Sequence, residues 1–104
     1  MNYSKYRAKP VVIDGRRIAS LKEGRKYCDL KLLKHAGNIV DFECQVKFPI
    51  IINGELICTY IADFVTYDPD GKRHVLDVKG VKTAVYRLKK KLMAIVNHIT
   101  IEEC

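Results

Sequence analysis

The sequence predicts an α/β domain in the order helix, strand, strand, strand, helix, strand, and three observations predict it. A capping box, Ser20-Leu21-Lys22-Glu23, opens an early helical segment. Two long runs of strand-forming residues then flank Asn53-Gly54, a strong hairpin signal, and a second turn follows at Asp68-Pro69-Asp70-Gly71. A Lys-rich amphipathic stretch after Thr83 completes the pattern. At 104 residues the chain holds one core, so any site must sit on the core elements themselves.

Residues 1–19 read as a basic arm and residues 20–104 as the core domain. In the arm, Tyr3 and Tyr6 alternate with Lys5, Arg7 and Lys9, and Asp14-Gly15 separates two short extended runs, Val11-Val12-Ile13 and Arg16-Arg17-Ile18. Asp-Gly in that setting predicts a type I′ hairpin. Interleaved basic and aromatic residues suit phosphate contacts and base stacking; a solvated terminus with a small hairpin accounts for them equally.

The first helix is predicted from Leu21 to about Ala36, with Leu21, Cys28 and Leu32 along its apolar stripe and Gly37 just past its end. Glu23 has two readings. It completes the cap on Ser20, or its carboxylate turns to a site on the strands, and spacing alone favours the cap.

From Asp41 to Ile52, Phe42, Cys44, Val46 and Phe48 alternate with Glu43, Gln45 and Lys47, and the return strand runs from Glu55 to Tyr67. A simple two-residue turn at Asn53-Gly54 sets Cys44 opposite Asp63. Pro49 cannot donate to a ladder and marks an edge or a bulge. A one-residue bulge near it brings Gln45 onto the Asp63 face, and that bulge is expected.

The third strand, His74 to Gly80, points His74, Leu76 and Val78 to a buried apolar face and Val75, Asp77 and Lys79 to the other, where a charged pair is displayed. Asp77 and Lys79 have Cα atoms about 6.6 Å apart, and Asp63 lies on the preceding antiparallel strand, about 4.8 Å away. Thr83 then caps a second helix with Val85, Leu88, Leu92 and Ile95 or Val96 in one stripe. Lys82, Arg87, Lys90 and Lys91 occupy much of its remaining surface. A Lys-rich face is usually only solvated, but its place directly after the acidic strand favours phosphate contact. Ile99-Thr100-Ile101 is predicted to close the chain as a short strand.

Lys and Arg number 19 against 12 Asp and Glu, a net charge of +7 that favours a polyanion: nucleic acid first, an anionic membrane surface second. No run of about 18 apolar residues and no signal-peptide core appears, so no membrane span is expected and the cytoplasm is the predicted compartment. Cys28, Cys44, Cys58 and Cys104 form no C-x-x-C pair and no ligand spacing with His35, His74 or His98. Zinc is not expected; the thiols read as small reduced core residues.

Two carboxylates and a lysine on neighbouring strands fit phosphodiester hydrolysis. Hard cations such as Mg²⁺ are held by one or two carboxylates plus substrate phosphate oxygens. Asp63 and Asp77 suit as ligands, the Val78 carbonyl as a further oxygen, and Lys79 as the group that orients water and offsets phosphoryl charge. Asp-x-Lys alone is a weak signal, and a cross-strand salt bridge to Lys79 is the plain alternative.

With these elements in place the chain resembles the PD-(D/E)XK nuclease superfamily and, more closely, a small phage and prophage domain family within it that was long of unknown function. The likeness spans nearly the whole chain: Ser4-Lys5-Tyr6-Arg7-Ala8-Lys9, the helix with Glu23, Arg25 and Tyr27, Gln45-Val46-Lys47-Phe48-Pro49, Ile61-Ala62-Asp63-Phe64, Asp77-Val78-Lys79-Gly80, and Val85 to Lys91. It implies a restriction-endonuclease-like αβββαβ core, a mixed central sheet flanked by two helices. It also implies Asp63 as first acid, Asp77 as second acid and Lys79 as the lysine. Glu23 matches a first-helix glutamate aimed at the metal, and Gln45 falls where relatives place a polar residue. Ala62 stands in for the motif's proline, and Gly24 weakens a helical turn by roughly 1 kcal/mol relative to alanine.

The resemblance implies a Mg²⁺- or Mn²⁺-dependent DNA endonuclease of phage type, working in the host cytoplasm if phage-encoded. Its favoured specialisation is branched-DNA or Holliday-junction resolution by a homodimer. The alternatives are a nicking or restriction-like endonuclease and a non-catalytic basic DNA-binding module. An RNA-binding protein rests only on charge and aromatics, without recognised RNA motifs.

Overall fold

The computed structural model describes residues 11–13, 16–18, 20–79 and 82–104, the first two stretches by backbone alone. Val11–Ile13 (β1) pairs antiparallel with Arg16–Ile18 (β2), Ile13 opposite Arg16, which is the expected two-residue hairpin spacing. The type of that turn, and Lys5, Arg7 and Lys9, lie outside the described residues.

Leu21–His35 forms α1, with the Glu23 amide donating to the Ser20 hydroxyl at 3.1 Å. Gly37, at φ +84°, ends it: the Asn38 amide donates to the Leu33 carbonyl (2.9 Å) and the Gly37 amide to that of Lys34 (3.1 Å), a Schellman motif. The buried face differs from the expected one. It is Glu23, Gly24, Tyr27 and Leu30, while Leu21 and Leu32 are largely exposed, as is Cys28. The predicted stripe lies roughly 130° round the axis from the face that docks.

Four strands follow the order β3-β4-β5-β6: Asp41–Ile52, Glu55–Tyr67, Arg73–Asp77 and Ile101–Glu103. The first three run antiparallel and β6 lies parallel to β5, reached through the crossover helix Ala84–Val96 (α2), so the sheet is mixed. The β3–β4 turn has φ +51° at Asn53 and +81° at Gly54, the signature of type I′. Gly71 takes φ +89° in the next turn and its amide donates to the Asp68 carbonyl. β6 starts two residues later than expected, because the Ile99 amide is still held by the Met93 carbonyl at the helix exit (3.0 Å).

The expected bulge is present, with the extra residue on the return strand. Ile50 pairs with Cys58 but Ile51 with Leu56, leaving Ile57 as the insertion.

The two helices pack on opposite faces of the sheet. Tyr27 and Leu30 of α1 meet Phe64, Leu76 and Ile39; Tyr86 and Met93 of α2 meet Ile50, Tyr60, Ala62, Val65, Val75 and Ile101. On α2, as on α1, the expected stripe is not the core face. Val85, Leu88 and Ile95 are exposed, and Leu92 and Val96 are only partly buried. Aromatic and long flexible side chains supply the buried area in place of the aliphatic ones. None of the helices formed by the described residues is long and apolar enough to cross a membrane.

Candidate active site

The site lies where the sheet changes sides. In β3, Phe42 and Cys44 pack toward α1, yet Val46 and Phe48, of the same parity, pack toward α2. β4 does the same: Tyr60 and Ala62 join the α2 cluster and Phe64 the α1 cluster. A regular strand keeps alternate residues on one face, so both strands must break their alternation between these points. The break in β3 is at Gln45, which has φ +54°, a left-handed conformation uncommon for a residue with a side chain. Cys44 pairs with Phe64 and Val46 with Ala62, so Gln45 and Asp63 fall opposite each other in the crease.

Gln45 reaches across to α1, where its Nε2 donates to Glu23 Oε2 at 3.0 Å. This resolves the two readings of Glu23. Its amide serves the Ser20 cap while its carboxylate is turned to the sheet, the residue being 7 % exposed. Burial, then the nearby Asp77 charge, pushes its pKa up, with the Gln45 hydrogen bond and the Lys79 charge acting against them.

Asp63 and Asp77 are brought together. The β4–β5 ladder ends at Phe64 and Leu76, and the Val78 amide beyond it is taken by Asp63 Oδ2 at 2.8 Å. Burial and a hydrogen bond shared with Asp77 push the Asp63 carboxyl up to about 7, against the pull of the Val78 amide. Asp77 was expected on display and is instead 2 % exposed, because α2 covers that face of β5. Its Oδ2 accepts from the Tyr60 hydroxyl and its Oδ1 lies 3.2 Å from Lys79 Nζ. Lys79 Nζ in turn sits 4.0 Å from the centre of the Tyr86 ring, a cation–π contact, and the Lys79 carbonyl accepts from Lys22 Nζ at 2.7 Å.

Asp63, Asp77, Lys79, Tyr60, Tyr86 and Lys89 help to line a cavity of about 270 Å³. A larger depression of about 790 Å³, between Tyr27, Lys31, Phe42 and neighbouring residues, contains none of these acids. The smaller one is the candidate site, because carboxylates, ammonium groups and buried phenols converge there.

Tyr60, Tyr86, Lys22 and Lys89 were not singled out from the sequence. Tyr60 and Tyr86 are both buried, and their hydroxyls hydrogen-bond to Asp77 and to Glu103 respectively. The proximity of Asp77 adds to burial in pushing both phenols up. The available signal for Tyr60 was its place three residues before Asp63 on the same strand.

Of the basic residues expected on α2 and its approach, Lys82 and Lys90 are both engaged by Glu103, at 2.8 and 3.0 Å. The Lys82, Tyr86 and Lys90 hydrogen bonds hold the Glu103 carboxyl down at about 2. Arg87 and Lys91 are exposed.

The donor set suits a hard divalent cation as a pair of carboxylates. Among the described residues no group of three His, Cys, Asp or Glu side chains converges on a metal-sized point, so Glu23 is not a third member of a preformed cluster. Two acids on one cavity, one of them pushed toward neutrality, nonetheless concentrate negative charge where a cation would relieve it. Mg²⁺ and Mn²⁺ are held in this way by one or two carboxylates, the remaining ligands coming from water and substrate.

A family model described as a protein of unknown function (DUF1064) matches residues 3–98. No curated protein and no solved structure matches the chain.

Proposed function

For this chain, which belongs to the DUF1064 family, we propose a divalent-metal-dependent DNA endonuclease of the PD-(D/E)XK type that hydrolyses phosphodiester bonds. The observation that carries the reading is the juxtaposition of Asp63 and Asp77 on adjacent strands with Lys79 bonded to one of them. Partial burial and the neighbouring Asp77 raise the cost of ionising Asp63, an arrangement that cation binding compensates.

Asp63 and Asp77 would hold Mg²⁺ or Mn²⁺. When bound, the cation offsets phosphate charge and makes water a stronger acid. The protein's own residues do the positioning. Tyr60 fixes the Asp77 carboxylate through its hydroxyl, and Lys79, seated on Tyr86, carries the positive charge that faces the scissile phosphate. Glu23, steered by Gln45, adds negative potential from α1 beside the two acids. Arg87 and Lys91 meet the DNA backbone, as does the basic arm with Lys5, Arg7 and Lys9.

The substrate within this reading is branched DNA, the specialisation the resemblance implies. Cleavage of labelled DNA by wild type and by Asp77→Asn, with and without Mg²⁺, tests the proposal. Metal-dependent products from wild type alone support it, and equal products from both proteins overturn it.

A further inference from the structure

Three donors converge on one carboxylate at the edge of the sheet. Glu103 lies opposite Asp77 in the parallel β5–β6 register and, like it, faces α2. The Tyr86 hydroxyl donates to Glu103 Oε2 at 2.7 Å and Lys90 Nζ to the same oxygen at 3.0 Å, while Lys82 Nζ holds Oε1 at 2.8 Å. The donors come from the approach to α2 and from two successive turns of it.

Ammonium groups and a hydroxyl gathered round a pair of oxygens are what a backbone phosphate meets on a protein. Here a glutamate of the chain itself fills that place. Arg87 and Lys91 line the same cavity, of about 450 Å³, so four cationic side chains share it with one carboxylate. Arg87, Lys90 and Lys91 lie three and four residues apart on one helix, a spacing at which like charges repel, and the face therefore favours more negative charge than Glu103 brings. Nor is Glu103 sealed in. Its side chain is 22 % exposed, with room to turn to solvent when another anion takes its donors.

We propose that Tyr86, Lys82 and Lys90 form a site for one backbone phosphate of a DNA strand, and that Glu103 is its built-in competitor, displaced when the strand enters. The inference rests on DNA as the polyanion of the reading above, but not on cleavage. Tyr86 ties this site to the acids: its ring carries Lys79 and lines the cavity of Asp63 and Asp77, while its hydroxyl faces Glu103. A strand anchored by that hydroxyl is held one aromatic ring from Lys79. Competition makes the anchor selective, because a lone anion gains no more from the three donors than Glu103 does, whereas a strand that also meets Arg87 and Lys91 gains enough to displace it. Strand and carboxylate exclude each other, so removing the Glu103 charge strengthens DNA binding.

The test is fluorescence anisotropy of a labelled DNA duplex in chelator, with Glu103→Gln beside Glu102→Gln. The two variants change the net charge equally and differ in place, since Glu102 lies on the opposite face of β6 and pairs with His74. Glu103→Gln is expected to bind about fivefold or more tighter than Glu102→Gln. With Lys82→Gln/Lys90→Gln added to each, that difference is expected to vanish. In wild type, the NMR resonance of the Glu103 carboxylate carbon is expected to move when DNA is added, a readout that needs no variant to fold. Equal gains for the two glutamine variants overturn the proposal, because net charge alone then explains them. So do a gain that survives loss of the two lysines, a Glu103 resonance unmoved by saturating DNA, no DNA binding by either variant, or a gain seen on anionic vesicles and not on DNA. Wild type that shows this coupling yet never cuts DNA in Mg²⁺ refutes the nuclease reading and leaves the competition standing; cleavage without the coupling does the reverse.

Discussion

The hydroxyl of Tyr60, on β4, donates to the buried carboxylate of Asp77, on β5, and Lys79 holds the other oxygen of the same carboxylate. Neither strand alone fixes this acid. Tyr60 sits on the α2 side of the crease, and Asp77 is the last residue of the strand before the chain leaves for α2.

Tyr60→Phe keeps the ring and removes the donor. A hydrogen bond to a charged group is worth about 1.5–3 kcal/mol, and the variant is expected to lose stability in that range. Denaturant unfolding measures it. Cleavage by this variant is expected to fall with the fold intact, and an unchanged unfolding midpoint contradicts the role.

Asp63→Asn is expected to gain stability in metal-free solution while losing function. The Asp63 carboxyl is raised from 3.8 to about 7, so the folded state favours its protonated form, and stability declines as the pH climbs between those values. An amide removes the titrating charge and can still accept from Val78. The melting temperature of Asp63→Asn should exceed that of wild type at pH 8 in chelator, with the pH-dependent part of the difference gone below pH 3. A wild type that is more stable than the variant at pH 8 contradicts the assignment.

Gln45 tests the crease. A β-branched residue is strongly disfavoured at its φ of +54°. Both Gln45→Val and Gln45→Gly lose the bond to Glu23, but glycine adopts this backbone without the left-handed penalty, so Gln45→Val is expected to be less stable than Gln45→Gly by at least about 1–2 kcal/mol. Equal unfolding midpoints for the two variants contradict the strained geometry.

His74 sits between Asp68 and Glu102, at 2.8 and 2.6 Å, and its pKa is raised above 6.5 by those two hydrogen bonds, Glu102 first. Its contribution to stability is therefore complete below 6.5 and is lost as the pH rises through the higher folded value. His74→Asn should show its largest deficit in melting temperature under mildly acidic conditions and a shrinking one at alkaline pH. A deficit that grows with pH contradicts the ion-pair geometry.

Local chemistry made β3 and β4 legible: Asn53-Gly54 and Asp68-Pro69-Asp70-Gly71 fix the turns, and the expected bounds of both strands match those observed. The third strand was expected over His74 to Gly80 but β5 spans Arg73–Asp77, because the Asp63 side chain takes the Val78 amide in place of a ladder partner. Local chemistry at Ser20, Gly37 and Thr83 also made the helix bounds legible. The helix faces were not. Leu and Val at helical spacing point to a core by pattern, but Tyr27, Tyr86 and Met93 fill the space over the sheet and leave the aliphatic rows outside. The pairing of Asp63 with Gln45 followed from counting a bulge, whereas the left-handed Gln45 carries no signal of its own, since glutamine is not a residue that favours that conformation. The neighbouring of β4 and β5 was expected, but the Tyr60 bond to Asp77 was not legible because it depends on the break in alternation that leaves Tyr60 on the α2 side of the crease.

The most direct test of the nuclease proposal is cleavage of labelled four-way-junction, nicked, single-stranded and linear duplex DNA in Mg²⁺ or Mn²⁺, with Asp77→Asn beside wild type. The account predicts metal-dependent cuts concentrated on the junction and absent from the variant. Wild type that binds these DNAs with salt-dependent affinity yet cuts none of them contradicts it, and leaves a basic DNA-binding module in its place.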